Sequence, residues 1–288
     1  MDKQLAIIGG SQAYSLIQAG EFAGEQISPM QTPFGESQPI LRLKNETLLM
    51  SRHGVEGYQV AAPWVNYRAN IWALKELGTQ QIVSWSGPGA IDESLRIGQF
   101  VIPDDLLDET KHRSYSFFEG TGWGFVRQNP VFCPTLTAGI AGVMADLDLN
   151  CRSGGVYVCT EGPRLETPAE IRKFKLIGGD MVGMTLVPEV FLAKELEMCY
   201  ASVCYITNYA EGLRDRPFNP GVLFEGLLDD DEKKAVDDAV RRFPRIIEAL
   251  AQRLDSATSS CHCDKLMERY RRRGSIGPDW HTWIKGNG

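Results

Sequence analysis

The chain has 288 residues, 43% of them hydrophobic, and a formal net charge of -7. That is enough apolar material for one large α/β domain. The acidic balance, with no basic block beyond Arg271-Arg272-Arg273, excludes a nucleic-acid footprint and means that any anion must be caught locally.

From the amino terminus, the first apolar run covers only residues 5–8. It is too short for a signal peptide or a membrane span, so a cytoplasmic location without membrane contact is expected. Further short apolar runs at residues 47–50, 81–85, 100–102, 156–159, 181–183 and 201–206 read as buried strands. Amphipathic stretches lie between them. The clearest places Val65, Ala69, Trp72 and Ala73 on one helical face, with Gly78 as the stop before the strand at 81–85. Strands alternating with helices predict a mostly parallel twisted sheet flanked by helices, an α/β fold. Thr167-Pro168-Ala169-Glu170 reads as a capping box with proline at N1, leaving Glu166 just outside that helix. Aspartates followed by lysines and arginines between residues 229 and 240 read as a solvated helix aligned with its macrodipole. Seven cysteines in apolar segments read as reduced core thiols.

The residues that follow the strands are polar or glycine-rich: Gly9-Gly10-Ser11, Arg52-His53-Gly54, Ser86-Gly87-Pro88-Gly89, the segment 160–166, Met184-Thr185 and Thr207-Asn208. In open α/β sheets, ligands bind in the crevice beyond the carboxyl ends of the strands, so these segments are expected to meet at one site. The Gly-Gly-Ser turn can aim backbone amides at an anion, and Arg52 offers a planar fork matched to phosphate oxygens. Ser86 and Thr185 add hydroxyls. Neither the dinucleotide fingerprint nor the P-loop pattern is present, which favours free phosphate over a nucleotide tail.

Five stretches carry a resemblance: residues 6–11, 52–54, 65–74, 161–167 and 183–189. Over roughly residues 5–255, and in a consistent order, the chain resembles the purine-nucleoside phosphorylase and methylthioadenosine phosphorylase family. The resemblance implies one phosphorylase domain over residues 1–258, with a tail of unassigned role at 259–288. It also implies a homotrimer in purine salvage that acts on a nucleoside and inorganic phosphate, with no cofactor and no metal. It assigns phosphate to Ser11, Arg52, His53, Ser86 and Thr185. The nucleoside is assigned to Leu165, Glu166, Gly183, Met184, Thr207 and Asn208, with Phe125 as a cross-subunit sugar contact. Glu166 and Asn208 are the expected catalytic pair, since charge that develops on the departing purine must be stabilised.

Adenine-specific members carry aspartates where this chain has Asn208 and Ala210. An amide can donate to a 6-oxo group, so a 6-oxopurine substrate is expected: 5′-methylthioinosine, inosine or guanosine. Methylthioadenosine phosphorolysis is the alternative. No histidine lies between Ala210 and Phe224, and Val222, Leu223 and Phe224 form either an apolar pocket for a 5′ group or plain core. The chain departs from the family pattern at Val55-Glu56-Gly57-Tyr58, which lacks a second histidine, and at Trp85 and Pro88. Those departures leave a nucleoside-binding protein without turnover as a reading from another class. Cys261-His262-Cys263 is a lone Cys-x-Cys without the second ligand pair that a zinc site needs, so no metal is expected there. The tail with Arg269, Trp280 and Trp283 reads either as a docking segment for a neighbouring subunit or as a solvated end.

Overall fold

The computed structural model describes residues 4–215, 220–223, 228–255 and 261–284. In chain order, β1 (Gln4–Gly9) leads into α1 (Ser11–Gln18), followed by β2 (Gly24–Ile27), a small hairpin of β3 (Gln31–Thr32) and β4 (Gly35–Glu36), then β5 (Ile40–Leu43) and β6 (Leu48–Ser51). Next come α2 (Tyr67–Glu76), β7 (Thr79–Ser86), β8 (Gly89–Ala90), β9 (Phe100–Ile102), β10 (Asp105–Glu109) and α3 (Pro134–Asp146). The second half contains β11 (Cys151–Ser153), β12 (Val156–Thr160), α4 (Pro168–Leu176), β13 (Met181–Gly183), α5 (Leu186–Glu195), β14 (Cys199–Tyr205) and β15 (Asn208–Tyr209). It closes with α6 (Asp230–Arg241), α7 (Phe243–Asp255) and a short α8 (Glu268–Arg272).

Eight strands form the main sheet in the order β11-β9-β14-β7-β1-β6-β5-β2. Its centre is parallel, as the strand-and-helix alternation predicts: β1 pairs in parallel with β6 and β7, and β7 with β14. Side chains alternate strictly across it. Ala6 and Ile8 enter the core under α2 and α5, whereas Leu5 and Ile7 enter the opposite core with α1, α3 and α7. A second sheet, β10-β12-β13-β8-β15, brings the ends of β12 and β13 beside those of β1 and β7. The Gly78 stop and the Thr167–Glu170 capping box follow their sequence reading, whereas Val65, expected on the helical face, precedes α2 in extended backbone. Asn66 caps α2 by accepting from the Ala69 amide, and Gly78 turns the chain at φ +85. Thr167 and Glu170 form the capping box of α4, and Asp229 and Glu232 form another at α6.

Residues 261–284 pack on their own chain. Met267, Tyr270, Ile276, Trp283 and Ile284 are buried in the main core, Trp280 meets the Trp72 ring at 4.5 Å, and Arg271 pairs with Glu197. The expectation that Cys261 and Cys263 lack a second ligand pair is corrected by the fold, which brings Cys133 and Cys199 beside them, with all four sulfurs within 4.8 Å of one another. Sequence distance hid this, since the partners come from the start of α3 and the start of β14. Among the described residues no helix is long and apolar enough to cross a membrane.

Candidate active site

The turn after β1 and the turn after β6 lie side by side, joined by the Arg52 amide donating to the Gly9 carbonyl at 3.1 Å. Arg52 itself is fully buried. Its Nε donates to Glu189 Oε1 at 2.6 Å, and Nη2 faces Glu189 Oε2, Ser84 Oγ and the Ile8 carbonyl; Nη1 donates to the Trp85 carbonyl at 3.2 Å. The bidentate grip on phosphate expected of Arg52 is therefore corrected, because α5 spends the guanidinium fork on its own carboxylate. One Nη1 hydrogen is left over, and Nη1 lies 3.4 Å from where a Cβ on Gly10 would sit, so it underlies the glycine turn.

Next along the chain, His53 is buried, with Nδ1 2.8 Å from the Val60 carbonyl and its ring stacked on Tyr58 at 4.2 Å. Desolvation, and then the charge of Arg52, push its pKa down to about 3. The ring is thus neutral, Nδ1 carries the proton it donates to Val60, and Nε2 is left as an acceptor. Tyr58 belongs to the stretch that lacks the second histidine, and it covers the His53 ring.

Ser86 ends β7, and its hydroxyl lies 3.1 Å from Tyr157 Oη and 3.2 Å from Thr185 Oγ1. Trp85 points the other way. Period-two alternation sends its indole into the α1, α3 and α7 core, 4.0 Å from the Phe243 ring and 5.8 Å from Phe100, so this bulky residue does not intrude on the strand end. Pro88 keeps its carbonyl in use as the acceptor for the Thr207 amide.

Two hydrogen-bonded groups, packed against each other at Gly183, lie between these hydroxyls and Glu166. Tyr157 Oη sits against Gly183, where an added Cβ would come within 2.0 Å of it. The Gly183 carbonyl faces Thr160 Oγ1 at 3.3 Å, and Thr160 Oγ1 donates to Glu166 Oε1 at 2.5 Å. Asn208 opens β15, beside Gly89 of β8. Its Oδ1 accepts from Thr207 Oγ1 at 2.8 Å, and Nδ2 donates to the Tyr209 carbonyl at 2.9 Å, so one Nδ2 hydrogen remains for a ligand.

The structure therefore brings together Arg52, His53, Ser86, Thr185, Gly183 and Glu166 through contacts at neighbouring strand ends, with Asn208 and Thr207 on the adjoining strand. Leu165 is half-buried next to Glu166, and the Met184 carbonyl accepts from Arg113 at 2.6 Å. Ser11 opens α1, and its side chain lies outside what is described. Phe125 stands apart, 72% exposed, with its amide donating to Tyr270 Oη at 2.9 Å. Val222 and Leu223 are exposed, which removes the plain-core reading for both, and Phe224 lies outside the described residues.

Sequence reasoning missed two organisers. Glu189 fixes Arg52. Arg113 is buried and donates to the carbonyls of Thr160, Glu161, Met184 and Val187, tying the segments after β12 and β13 together. A separate aromatic cavity of about 460 Å³, lined by Phe34, Arg68, Phe117, Trp123 and Trp283 among others, shares none of the strand-end residues. At the strand ends hydroxyl, imidazole, carboxylate and amide groups converge, which makes them the candidate site.

The comparisons agree with this geometry. The family model described as the phosphorylase superfamily matches residues 4–252. The chain is 40% identical over 245 residues to a probable S-methyl-5′-thioinosine phosphorylase of Methanothermobacter thermautotrophicus, spanning 82% of this chain and 83% of that protein. It is 39% identical over 245 residues to the 6-oxopurine nucleoside phosphorylase of Pyrococcus furiosus, spanning 81% of this chain and 88% of that one. A solved methylthioadenosine phosphorylase from an antarctic soil metagenomic library superposes with a TM-score of 0.79 at 28% identity, over 92% of this chain and 91% of its own. With the strand-end site, the order of its motifs and these matches in agreement, the chain belongs to the phosphorylase superfamily.

Proposed function

We propose that the chain catalyses phosphorolysis of a 6-oxopurine nucleoside, taking 5′-methylthioinosine, inosine or guanosine to free purine and the matching ribose 1-phosphate. The observation that carries this is the meeting of two hydrogen-bonded groups, Glu166–Thr160–Gly183 and Tyr157–Ser86–Thr185, packed together where Tyr157 Oη lies against Gly183, which sets a carboxylate suited to a purine edge near hydroxyls suited to phosphate. Relatives with names of both kinds, methylthioinosine and 6-oxopurine phosphorylases, support the same reading.

In this proposal phosphate rests on the Gly9-Gly10-Ser11 turn, the Ser86 and Thr185 hydroxyls and the remaining Nη1 hydrogen of Arg52. His53 Nε2 accepts the hydrogen of the phosphate dianion. That contact orients the anion without removing its proton, because an imidazole with a pKa of about 3 is a poor base. A phosphate oxygen bonds to C1′ as the C1′–N9 bond breaks, and the electron pair leaves on the purine, which takes a proton from water while the sugar phosphate gives its own proton back to solvent on release. Asn208 donates its one open hydrogen to the purine as charge builds there, Glu166 accepts from N1–H, and Leu165, Met184 and Thr207 surround the nucleoside. Phosphate is a co-substrate, and no resident cofactor is invoked. Phe125, exposed on this chain, suits a sugar contact in a neighbouring active site of a homotrimer. A location in the cytoplasm and a salvage role belong to the same proposal.

Methylthioadenosine phosphorolysis is the second reading, favoured by the name of the solved structural relative. Base release from inosine, guanosine, methylthioinosine, adenosine and methylthioadenosine, each with and without phosphate, separates the possibilities. Phosphate-dependent release at least tenfold faster from the 6-oxopurines is expected. A preference for the adenine nucleosides would overturn the base assignment alone. No release from any nucleoside would leave a binding protein.

A further inference from the structure

Four cysteines remote in sequence meet at one edge of the fold. Cys133 immediately precedes α3 and is fixed by its amide donating to the Tyr200 carbonyl at 2.8 Å. Cys199 is the first residue of β14, and Cys261 and Cys263 come from the segment beyond α7. Their sulfurs all lie within 4.8 Å of one another, with Cys199 Sγ 3.5 Å from Cys261 Sγ.

We propose that these four cysteines bind a single zinc ion and so fasten the carboxy-terminal tail to the core. A tetrahedral thiolate site with metal–sulfur bonds of about 2.3 Å puts every pair of sulfurs roughly 3.8 Å apart, a spacing that the 4.8 Å limit on all pairs and the 3.5 Å between Cys199 Sγ and Cys261 Sγ accommodate. Mutual closeness is the discriminating feature. Two disulfides would need only two close pairs, whereas a tetrahedron needs all six pairs to be short. The donor set also selects the ion, since four soft sulfurs with no oxygen or imidazole favour zinc over harder cations. The Cys-x-Cys step is one residue shorter than common zinc spacings, but the turn starting at Cys263 brings both sulfurs into reach.

Binding converts four thiols to thiolates and releases four protons to solvent, leaving a site with two net negative charges. Lys194 answers part of that charge. It is buried, its Nζ donates to the carbonyls of Pro130 and Val131, and its ammonium interacts electrostatically with Cys133 and Cys263. The proposal stands apart from the phosphorolysis reading, because no residue of the strand-end site takes part.

The test uses the full chain, expressed with zinc supplied, purified under thiol reductant and passed over a chelating resin. Elemental analysis is expected to find about one zinc per chain, and cobalt exchange should give the intense sulfur-to-cobalt charge-transfer bands of a tetrahedral thiolate site. The Cys261→Ser/Cys263→Ser variant, which keeps both core cysteines, should lose the zinc. Two results would overturn the proposal. One is metal-free wild-type protein in which all seven cysteines titrate as thiols after denaturation. The other is protein trapped by alkylation in fresh lysate that shows disulfides among the four.

Discussion

Glu189→Gln isolates the buried Arg52–Glu189 ion pair. The Arg52 and Glu189 side chains are 0% and 2% exposed, joined at 2.6 Å and 3.2 Å, and Tyr200 Oη donates to the same carboxylate at 2.9 Å. Glutamine keeps one acceptor but turns an NH₂ group either toward Arg52 Nε or toward both Arg52 Nη2 and Tyr200 Oη, so a donor meets a donor while the guanidinium loses its counter-charge. Removing one member of such a buried pair costs about 3–5 kcal/mol. At the 2–4 °C per kcal/mol typical of domains of this size, Tm should fall by roughly 6–20 °C. Tyr200→Phe deletes only one hydrogen bond to the charge and should cost about 1.5–3 kcal/mol. The assay is thermal unfolding followed by circular dichroism for wild type and both variants. A loss below about 2 °C in Glu189→Gln, or a larger loss in Tyr200→Phe, would refute the view that α5 neutralises Arg52.

Two further outcomes are expected. Asn208→Asp exchanges the open Nδ2 hydrogen for an oxygen and sets a carboxylate against the Tyr209 carbonyl, so all activity should fall. The kcat/KM ratio of methylthioinosine to methylthioadenosine should also drop by roughly tenfold to a hundredfold, since each mismatched buried group costs about 1–3 kcal/mol, and an unchanged ratio would remove Asn208 from base selection. Glu195, which accepts from Ser116 Oγ and the Phe117 amide, has its pKa pushed up to about 7 by burial and, in the same direction, by Glu119. The folded state therefore holds this proton more tightly than the unfolded chain, and the associated stability is full below about pH 4.5 and is lost as pH rises through about 7. Wild-type Tm should decline over that window relative to Glu195→Gln, and parallel pH profiles for the two proteins would contradict this.

Central strands, the Gly78 stop after α2 and the capping box of α4 were legible because each depends on short-range pattern. The apolar runs at residues 5–8 and 156–159 became β1 and β12 with small changes in boundary, and the polar residues just after them lie at the strand ends. Trp85 looked anomalous only while it was treated as a neighbour of Ser86. The alternation of Ser84, Trp85 and Ser86 along one strand already places the indole on the opposite face. What stayed hidden depends on distant pairing. Arg113 sits in a loop without periodicity, and its four carbonyl acceptors are known only once β12 and β13 are side by side. Arg52 was recognised as functional but given the wrong hydrogen-bond partners, since nothing local to residue 52 reveals that α5 delivers a carboxylate. The cysteine cluster failed to register for the same reason.

The Arg52–Glu189 contact spans 137 positions of sequence. At synthesis rates of roughly 5–20 residues per second, residue 189 follows residue 52 out of the ribosome by about 7–27 s. During that interval the guanidinium must stay hydrated, because burial without the carboxylate leaves a bare charge in an apolar core. β7 also waits, since β14, its neighbour in the finished sheet, begins later still, at Cys199. Arg52 thus reaches its buried, charge-paired place only after α5 arrives. A nascent chain halted before α5 would contain the glycine turn, Arg52, His53 and Ser86 without the buried frame that aims them.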